Sequence, residues 1–127
     1  MKAHFTPKEL GILGERIAEE HLRGLGFRIL DRNWHWRRGE LDLVTEQGEE
    51  IVFVEVKARR SQTYGAPEES ITRSKREKLI LTAYAYLNGA DRADADWRID
   101  VIAIDMDQNG AVVRLEHIVS AVEGEPQ

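Results

Sequence analysis

The segment from Ile51 to Ala58 constrains the fold of this chain more than any other, because six of its eight residues are apolar. Consecutive apolar residues, rather than alternating ones, are typical of a strand that is buried on both faces at the centre of a sheet. Glu55 and Lys57 interrupt the run, and their spacing places both side chains on the same face of the strand. A buried charge is costly unless it is compensated, so this pair needs a physical explanation.

The pattern on either side of this strand predicts an α/β protein with the element order αβββαββ. The predicted elements are a helix at 7–25, strands at 27–36, 40–45 and 51–58, a helix at 70–87, and strands at 97–106 and 111–117. Short polar turns predict that the first three strands form an antiparallel meander. The second helix should then return the fourth strand parallel to a neighbour, with right-handed connection. We therefore expect a mixed β-sheet flanked by helices.

The two helices and the chain end allow more specific expectations. Thr6, Pro7 and Glu9 form a typical helix start. The expected apolar face of the second helix consists of Leu79, Ile80, Ala83, Tyr84 and Leu87. We expect a single domain at residues 1–117 and a flexible tail at 118–127.

Composition excludes several classes of site and favours a cytoplasmic location. The chain has 127 residues and no cysteine, so disulfides and thiolate metal sites are excluded. The N-terminal segment lacks the apolar run of a signal peptide, and no stretch is long and apolar enough to span a membrane. The net charge of −5 argues against a protein that coats nucleic acid, but residues 1–90 carry 15 basic and 14 acidic side chains. A local basic surface is therefore compatible with the acidic total.

Asp42, together with Glu55 and Lys57, forms a candidate metal site. It lies between two leucines on the second strand, which the turn at residues 46–50 makes the hairpin partner of the third. Two carboxylates and an ammonium group can then converge on one face. Hard oxygen ligands of this kind suit Mg²⁺, which can polarise a phosphodiester and activate water, while Lys57 can offset negative charge in the transition state. The alternative is a salt-bridged patch on a solvated sheet face.

These residues, with others in order along the chain, resemble the YraN-type family of predicted endonucleases within the PD-(D/E)xK nuclease superfamily. The resemblance covers about residues 10–105 and rests on these stretches: Gly14-Glu15 with Ala18-Glu19, Asn33-Trp34, Gly39 to Val44, Phe53 to Arg59, Tyr64 to Glu69, Lys75 with Leu79, and Arg98 to Val101. It implies a restriction-endonuclease-like fold, similar to that of archaeal Holliday-junction resolvases.

The resemblance also implies roles for individual residues. Asp42 and Glu55 would be ligands of Mg²⁺ or Mn²⁺, Lys57 the catalytic lysine, and Glu15 an auxiliary acid that approaches the metal. Many relatives have arginine where this chain has His35. Resolvase-like activity on DNA would require two active sites, and hence a homodimer.

Four basic residues are candidates for contact with nucleic-acid phosphates. Lys75 lies near the start of the second helix, one turn before Leu79, and backbone N–H groups there favour anions. Arg37 and Arg38 follow the first strand, and Arg59 follows the third strand, which carries Glu55 and Lys57. The alternative for each is an ordinary solvated side chain.

Taken together, the sequence predicts a metal-dependent endonuclease that hydrolyses DNA, in branched or processed form. The rival interpretation is a non-catalytic adaptor of nuclease fold that binds nucleic acid or a protein partner.

Overall fold

A computed structural model describes residues 5–60 and 71–122 of the chain. Seven elements follow one another: α1 (Pro7–Gly24), β1 (Arg28–Trp36), β2 (Gly39–Gln47), β3 (Glu50–Arg60), α2 (Arg73–Gly89), β4 (Trp97–Met106) and β5 (Val112–Val122). The predicted order and the α/β class are confirmed. Within the described ranges, no helix is both long enough and apolar enough to cross a membrane.

The five strands form one mixed sheet in the order β1-β2-β3-β4-β5. The pairs β1–β2, β2–β3 and β4–β5 are antiparallel, whereas β3 and β4 are parallel from Ile51↔Trp97 to Arg60↔Met106. The predicted meander and the predicted parallel return are therefore confirmed. Strand β3 occupies the centre of the sheet.

Each face of the sheet has its own hydrophobic core. Val52 and Val54 of β3 join the core under α1, and Ile51 and Phe53 join the core under α2. This arrangement explains why β3 is apolar at consecutive positions, since both of its faces are covered.

Helix α1 packs very close to β3. The predicted capping box is present: the Thr6 hydroxyl accepts the Glu9 N–H, and the Glu9 carboxylate accepts the Thr6 N–H. Farther along, a Cβ atom added at Gly14 would lie 2.5 Å from the Cβ of Ala58. The absence of a side chain at Gly14 thus allows the helix to approach the sheet.

Helix α2 differs from the prediction at its start and on its buried face. It begins at Arg73 rather than residue 70, which lies outside the described residues, and Thr72 caps it by accepting the Lys75 N–H. Tyr86 is buried while Tyr84 is 44% exposed, so the expectation for Tyr84 was wrong. Tyr86 can be buried because its hydroxyl donates to Asp31 at 2.9 Å.

Strand β5 corrects the predicted chain end, because residues 118–122 belong to it and not to a flexible tail. The Ser120 N–H donates to the buried Asp100 carboxylate at 2.9 Å, and Val122 pairs with Ile99 and is itself buried. These bonds and this burial order the segment. Residues 123–127 lie outside the described part of the chain.

Candidate functional site

The site forms where β2 separates from β3. Regular pairing between the two strands ends at Leu43↔Val54. Beyond this point, Oδ2 of Asp42 accepts the backbone N–H of Val56 at 2.8 Å, in place of a backbone carbonyl. The Asp42 carboxylate therefore sits at the opening between the two central strands.

Glu55 and Lys57 meet Asp42 at this opening. The Glu55 carboxyl group is within hydrogen-bonding contact of the Asp42 carboxyl group. Lys57 Nζ lies 3.3 Å from Glu55 Oε2, and the Lys57 and Glu55 side chains are only 24% and 16% exposed. Two acids and one ammonium group thus share a small, mostly buried volume, as the spacing along the sequence predicts.

The proximity of the two acids changes their protonation. Burial, followed by the charge of Asp42, raises the pKa of Glu55 to about 8, although Lys57 opposes the shift. Burial also raises the pKa of Asp42, against the hydrogen bonds from Val56 and Glu55. Two buried carboxylates in contact cannot both be charged at low cost, so near neutral pH they share a proton unless a cation takes its place.

Glu15 approaches the same cluster from α1. Burial, then the charges of Asp42 and Glu40, raises the pKa of Glu15 to about 7. The side-chain amide of Asn33 lies 3.3 Å from Glu15 Oε1. Glu15 therefore belongs electrostatically to the cluster, although it comes from the opposite side of the sheet from α2.

Among residues 5–60 and 71–122, no three His, Cys, Asp or Glu side chains already stand in a metal-binding group. Asp42 and Glu55 are in contact, whereas Glu15 is coupled to Asp42 through charge. The predicted trio of acids is thus a close pair with a third acid nearby.

A cleft of about 190 Å³ opens from the pair toward α2. Its lining consists of Glu40, Glu55, Lys57, Ile71, Lys75, Lys78, Leu79 and Thr82. Lys75, predicted to contact phosphate, is therefore brought into the same cleft as Glu55 and Lys57.

The three predicted arginines occupy different surroundings. Arg37 and Arg38 form the β1–β2 turn, where Arg37 lies 4.6 Å from the centre of the Trp36 ring. Nε of Arg59 lies 3.1 Å from Oδ1 of Asp105 on the neighbouring strand. Arg59 thus has a carboxylate partner within the sheet, while Arg37 and Arg38 remain on the exposed hairpin tip.

Three residues beyond the predicted set take part in the site. Lys78 lines the cleft, Glu40 acts on the charge states of both Glu15 and Asp42, and Asn33 contacts Glu15. Lys78 could have been found from its spacing, because residues three apart share a helix face and Lys75 was already a candidate. The spacing of Glu40 and Asn33 carries no comparable signal, but both residues lie in stretches on which the family resemblance rests.

Sequence comparison places the chain among many bacterial proteins of similar length. The model of a family described as "Uncharacterised protein family UPF0102" matches residues 14–104. A UPF0102 protein of Pelotomaculum thermopropionicum is 46% identical over 114 residues, which span 90% of this chain and 95% of that protein. A UPF0102 protein of Chloroflexus aurantiacus is 44% identical over 119 residues, which span 92% and 96%.

Comparison with solved structures finds a more distant likeness. The structure of Pyrococcus furiosus SfsA in complex with Ca²⁺ is 18% identical, with a TM-score of 0.43. The match covers 88% of this chain and 64% of that one. At this distance the likeness supports no inference about the present site.

Proposed function

This chain belongs to the uncharacterised protein family UPF0102, and we propose that it is a Mg²⁺- or Mn²⁺-dependent endonuclease of the PD-(D/E)xK type that hydrolyses DNA phosphodiesters. Branched or processed DNA is the proposed substrate. The observation that carries the proposal is the convergence of Asp42, Glu55 and Lys57 at the opening between β2 and β3, at the end of a cleft that also contains Lys75.

The donor set fits a hard divalent cation. Asp42 and Glu55 offer carboxylate oxygens in mutual contact, and a cation between them would relieve the repulsion that otherwise holds a proton there. Mg²⁺ keeps several waters and needs only one or two carboxylates together with substrate oxygens, so a pair of acids suffices. Glu15 would bind through one of those waters. The bound ion would supply Lewis-acid polarisation of the phosphate and a more acidic water.

The chain's own side chains account for the remaining requirements of phosphodiester hydrolysis. Lys57 lies on the same strand face as Glu55, so its ammonium group can orient a water or offset the charge that develops on the phosphate. Lys75 and Lys78 line the cleft next to it and can hold the phosphates beside the one being cleaved.

A nuclease assay with matched variants tests the proposal. Wild-type protein is incubated with Mg²⁺ or Mn²⁺ and labelled single-stranded, duplex, flapped and four-way-junction DNA, beside an RNA strand. We expect cleavage of at least one DNA, and its loss with EDTA, in Asp42→Asn and in Lys57→Ala. The control is Glu46→Gln, which removes a similarly buried acid from the same strand, where Glu46 pairs with Arg28 and Arg92 instead.

The outcomes separate the proposal from its rival. Intact DNA throughout, together with binding that survives Asp42→Asn, would contradict the proposal and favour a non-catalytic adaptor. Cleavage that persists in a folded Asp42→Asn protein would show that the activity arises elsewhere. Symmetric cutting of the four-way junction would further require a homodimer, which sedimentation measures independently.

A further inference from the structure

Two histidines face each other on the side of the sheet covered by α1, away from the cleft. His21 lies near the end of α1 and His117 lies in the middle of β5. Nε2 of His21 is 3.3 Å from Nδ1 of His117, and the rings meet edge to face with 5.4 Å between their centres. This contact joins a helix to the edge strand of the sheet.

The far side of His117 is fixed by a buried charge network. Its Nε2 lies 2.9 Å from Oδ2 of Asp100, which is fully buried. Asp100 also accepts from the Arg98 guanidinium at 2.9 Å and from the Ser120 N–H at 2.9 Å, so both of its oxygens have donors. A carboxylate at this position keeps the proton of His117 on Nε2 and leaves the Nδ1 lone pair directed at His21.

We propose that His21 and His117 form a second metal site, for a borderline transition metal such as Zn²⁺ or Ni²⁺, independent of the proposed nuclease centre. Two imidazole nitrogens that each lie about 2.0–2.1 Å from one tetrahedral ion are about 3.3–3.4 Å apart. The observed separation is 3.3 Å. Imidazole favours these metals over Mg²⁺, which prefers oxygen ligands.

Asp100 supports this site as the outer partner of a ligand. Histidines that bind metals usually donate their second N–H to a carboxylate or a backbone carbonyl, which orients the ring and makes it a better ligand. His117 already has this arrangement with Asp100. The Arg98 guanidinium neutralises Asp100 from its other side, so the pair adds little net charge.

Metal binding requires only one rearrangement of protons. Without metal, Nε2–H of His21 donates to Nδ1 of His117; with metal, that proton moves to Nδ1 of His21, and both facing lone pairs bind the ion. No proton is released from two neutral imidazoles. Burial and the neighbouring His117 lower the pKa of His21, which favours the neutral imidazole that binds a metal. Water molecules complete the coordination, and the ion would link α1 to β5.

Metal titration with histidine variants tests the site. Metal-stripped full-length protein is titrated calorimetrically with Ni²⁺ and with Zn²⁺ in millimolar Mg²⁺, and Cu²⁺-loaded protein is examined by electron paramagnetic resonance for coupling to imidazole nitrogen. We expect one ion per chain, and at least about tenfold weaker binding in His21→Gln and His117→Gln, with loss of the nitrogen coupling. His21→Gln should keep the fold even if His117→Gln does not, because His117 is the one of the two histidines that is hydrogen-bonded to the buried Asp100.

The controls replace histidine and acidic residues outside the proposed site. The chain has four histidines, so a His4→Gln, His35→Gln double variant removes the remaining two and should bind like wild type. Glu46→Gln, which removes an acid that belongs to neither site, should also bind like wild type, while the millimolar Mg²⁺ competes for the nuclease centre. No Ni²⁺ or Zn²⁺ binding by wild type, undiminished binding by His21→Gln, or equal losses in the His4/His35 variant would overturn the proposal and leave a simple hydrogen bond.

Discussion

A carboxyl group on a buried strand has to lose its charge or find a partner, and Glu55 does both in part. Lys57 lies within ion-pair distance, yet burial and then the charge of Asp42 dominate, so the pKa of Glu55 rises to about 8. The fold therefore holds two buried carboxyl groups that repel each other when both are charged, and a divalent cation could offset this repulsion.

The raised pKa of Glu55 predicts how the stability of the fold depends on pH. The folded pKa of Glu55 lies above its ordinary value of 4.5, so its protonated form stabilises the fold. This contribution is complete below about pH 4.5 and is lost as the pH rises through about 8. Glu55→Gln cannot ionise, so it should be more stable than wild type at pH 9 by on the order of 2–4 kcal/mol, with a much smaller difference at pH 5. Urea unfolding from pH 5 to 9 measures this.

Mn²⁺ supplies the control for that experiment. If the acid pair binds the ion, added Mn²⁺ should stabilise wild type most at high pH and have no comparable effect on Glu55→Gln. If the stabilities of the two proteins without metal depend on pH in the same way, ionisation of Glu55 does not destabilise the fold.

Glu15 allows a second prediction at this scale. Its pKa of about 7 depends partly on Asp42 and Glu40, so it senses the cluster without contacting the acid pair directly. Glu15→Gln should lower the cleavage rate about 10- to 100-fold, less than Asp42→Asn does, as expected for a residue that acts through water. Single-turnover cleavage compares them. Glu19→Gln is the control, since Glu19 lies one turn away and pairs with Arg23 and Arg32; an equal loss there would indicate damage to the helix.

The sequence predicts which residues of the site lie close together, but it does not predict the hydrogen bonds and ion pairs that fix their side chains. The spacing of Glu55 and Lys57 predicts their shared face, and the hairpin predicts that Asp42 lies nearby. The bond from the Val56 N–H to Asp42 depends on where two strands separate, which local pattern does not record. In the sequence, Arg59 is placed like a solvent-exposed arginine that could contact phosphate. In the structure it is hydrogen-bonded to Asp105, which lies on β4, 46 residues later.

At the scale of elements, the approach of α1 to the sheet positions Glu15 and depends on the small residue beside it. Gly14→Ala would place a methyl group only 2.5 Å from the Cβ of Ala58, so it should destabilise the fold by ~1–3 kcal/mol. Gly11→Ala is the matched control: outside the adjoining residues and backbone of α1, no heavy atom lies within 4 Å of the added Cβ, and alanine favours the helix by ~0.5–1 kcal/mol. Thermal and urea unfolding should therefore shift in opposite directions.

A double-mutant cycle tests the stated cause. In an Ala58→Gly background the contact is gone, so Gly14→Ala should become neutral or stabilising. A cost that stays the same in both backgrounds would mean that the close approach is not what excludes a side chain at Gly14.

The prediction of elements was accurate where the pattern is local and less so where it depends on contacts across the fold. Turns and apolar periodicity give the order of strands and helices. Tyr84 and Tyr86 have the same hydropathy, but Tyr86 lies on the buried face of α2, where its ring packs against Trp34 and Phe53 and its hydroxyl donates to Asp31. The end of β5 likewise depends on Asp100, twenty residues earlier, which binds the Ser120 N–H.

For the whole molecule, the net charge of −5 means that any attraction to DNA has to come from a local basic surface. The cleft is the candidate: Lys57, Lys75 and Lys78 line it beside Glu40 and Glu55, while the C-terminal part of the chain, residues 91–127, carries three basic and nine acidic side chains. DNA should therefore bind in one orientation, with its backbone along α2, and binding should weaken steeply as salt rises.

Removing the two helix lysines tests this orientation. Each lysine that neutralises a phosphate contributes about one unit to the slope of log affinity against log salt, so Lys75→Ala with Lys78→Ala should lower the slope by about two. Lys8→Ala, which removes an exposed charge from the other helix, should leave the slope unchanged. Fluorescence anisotropy in EDTA, which prevents metal-dependent turnover, measures it from about 25 to about 200 mM salt. A slope that also falls by about one unit for Lys8→Ala would mean that DNA is attracted by general charge and not by the cleft.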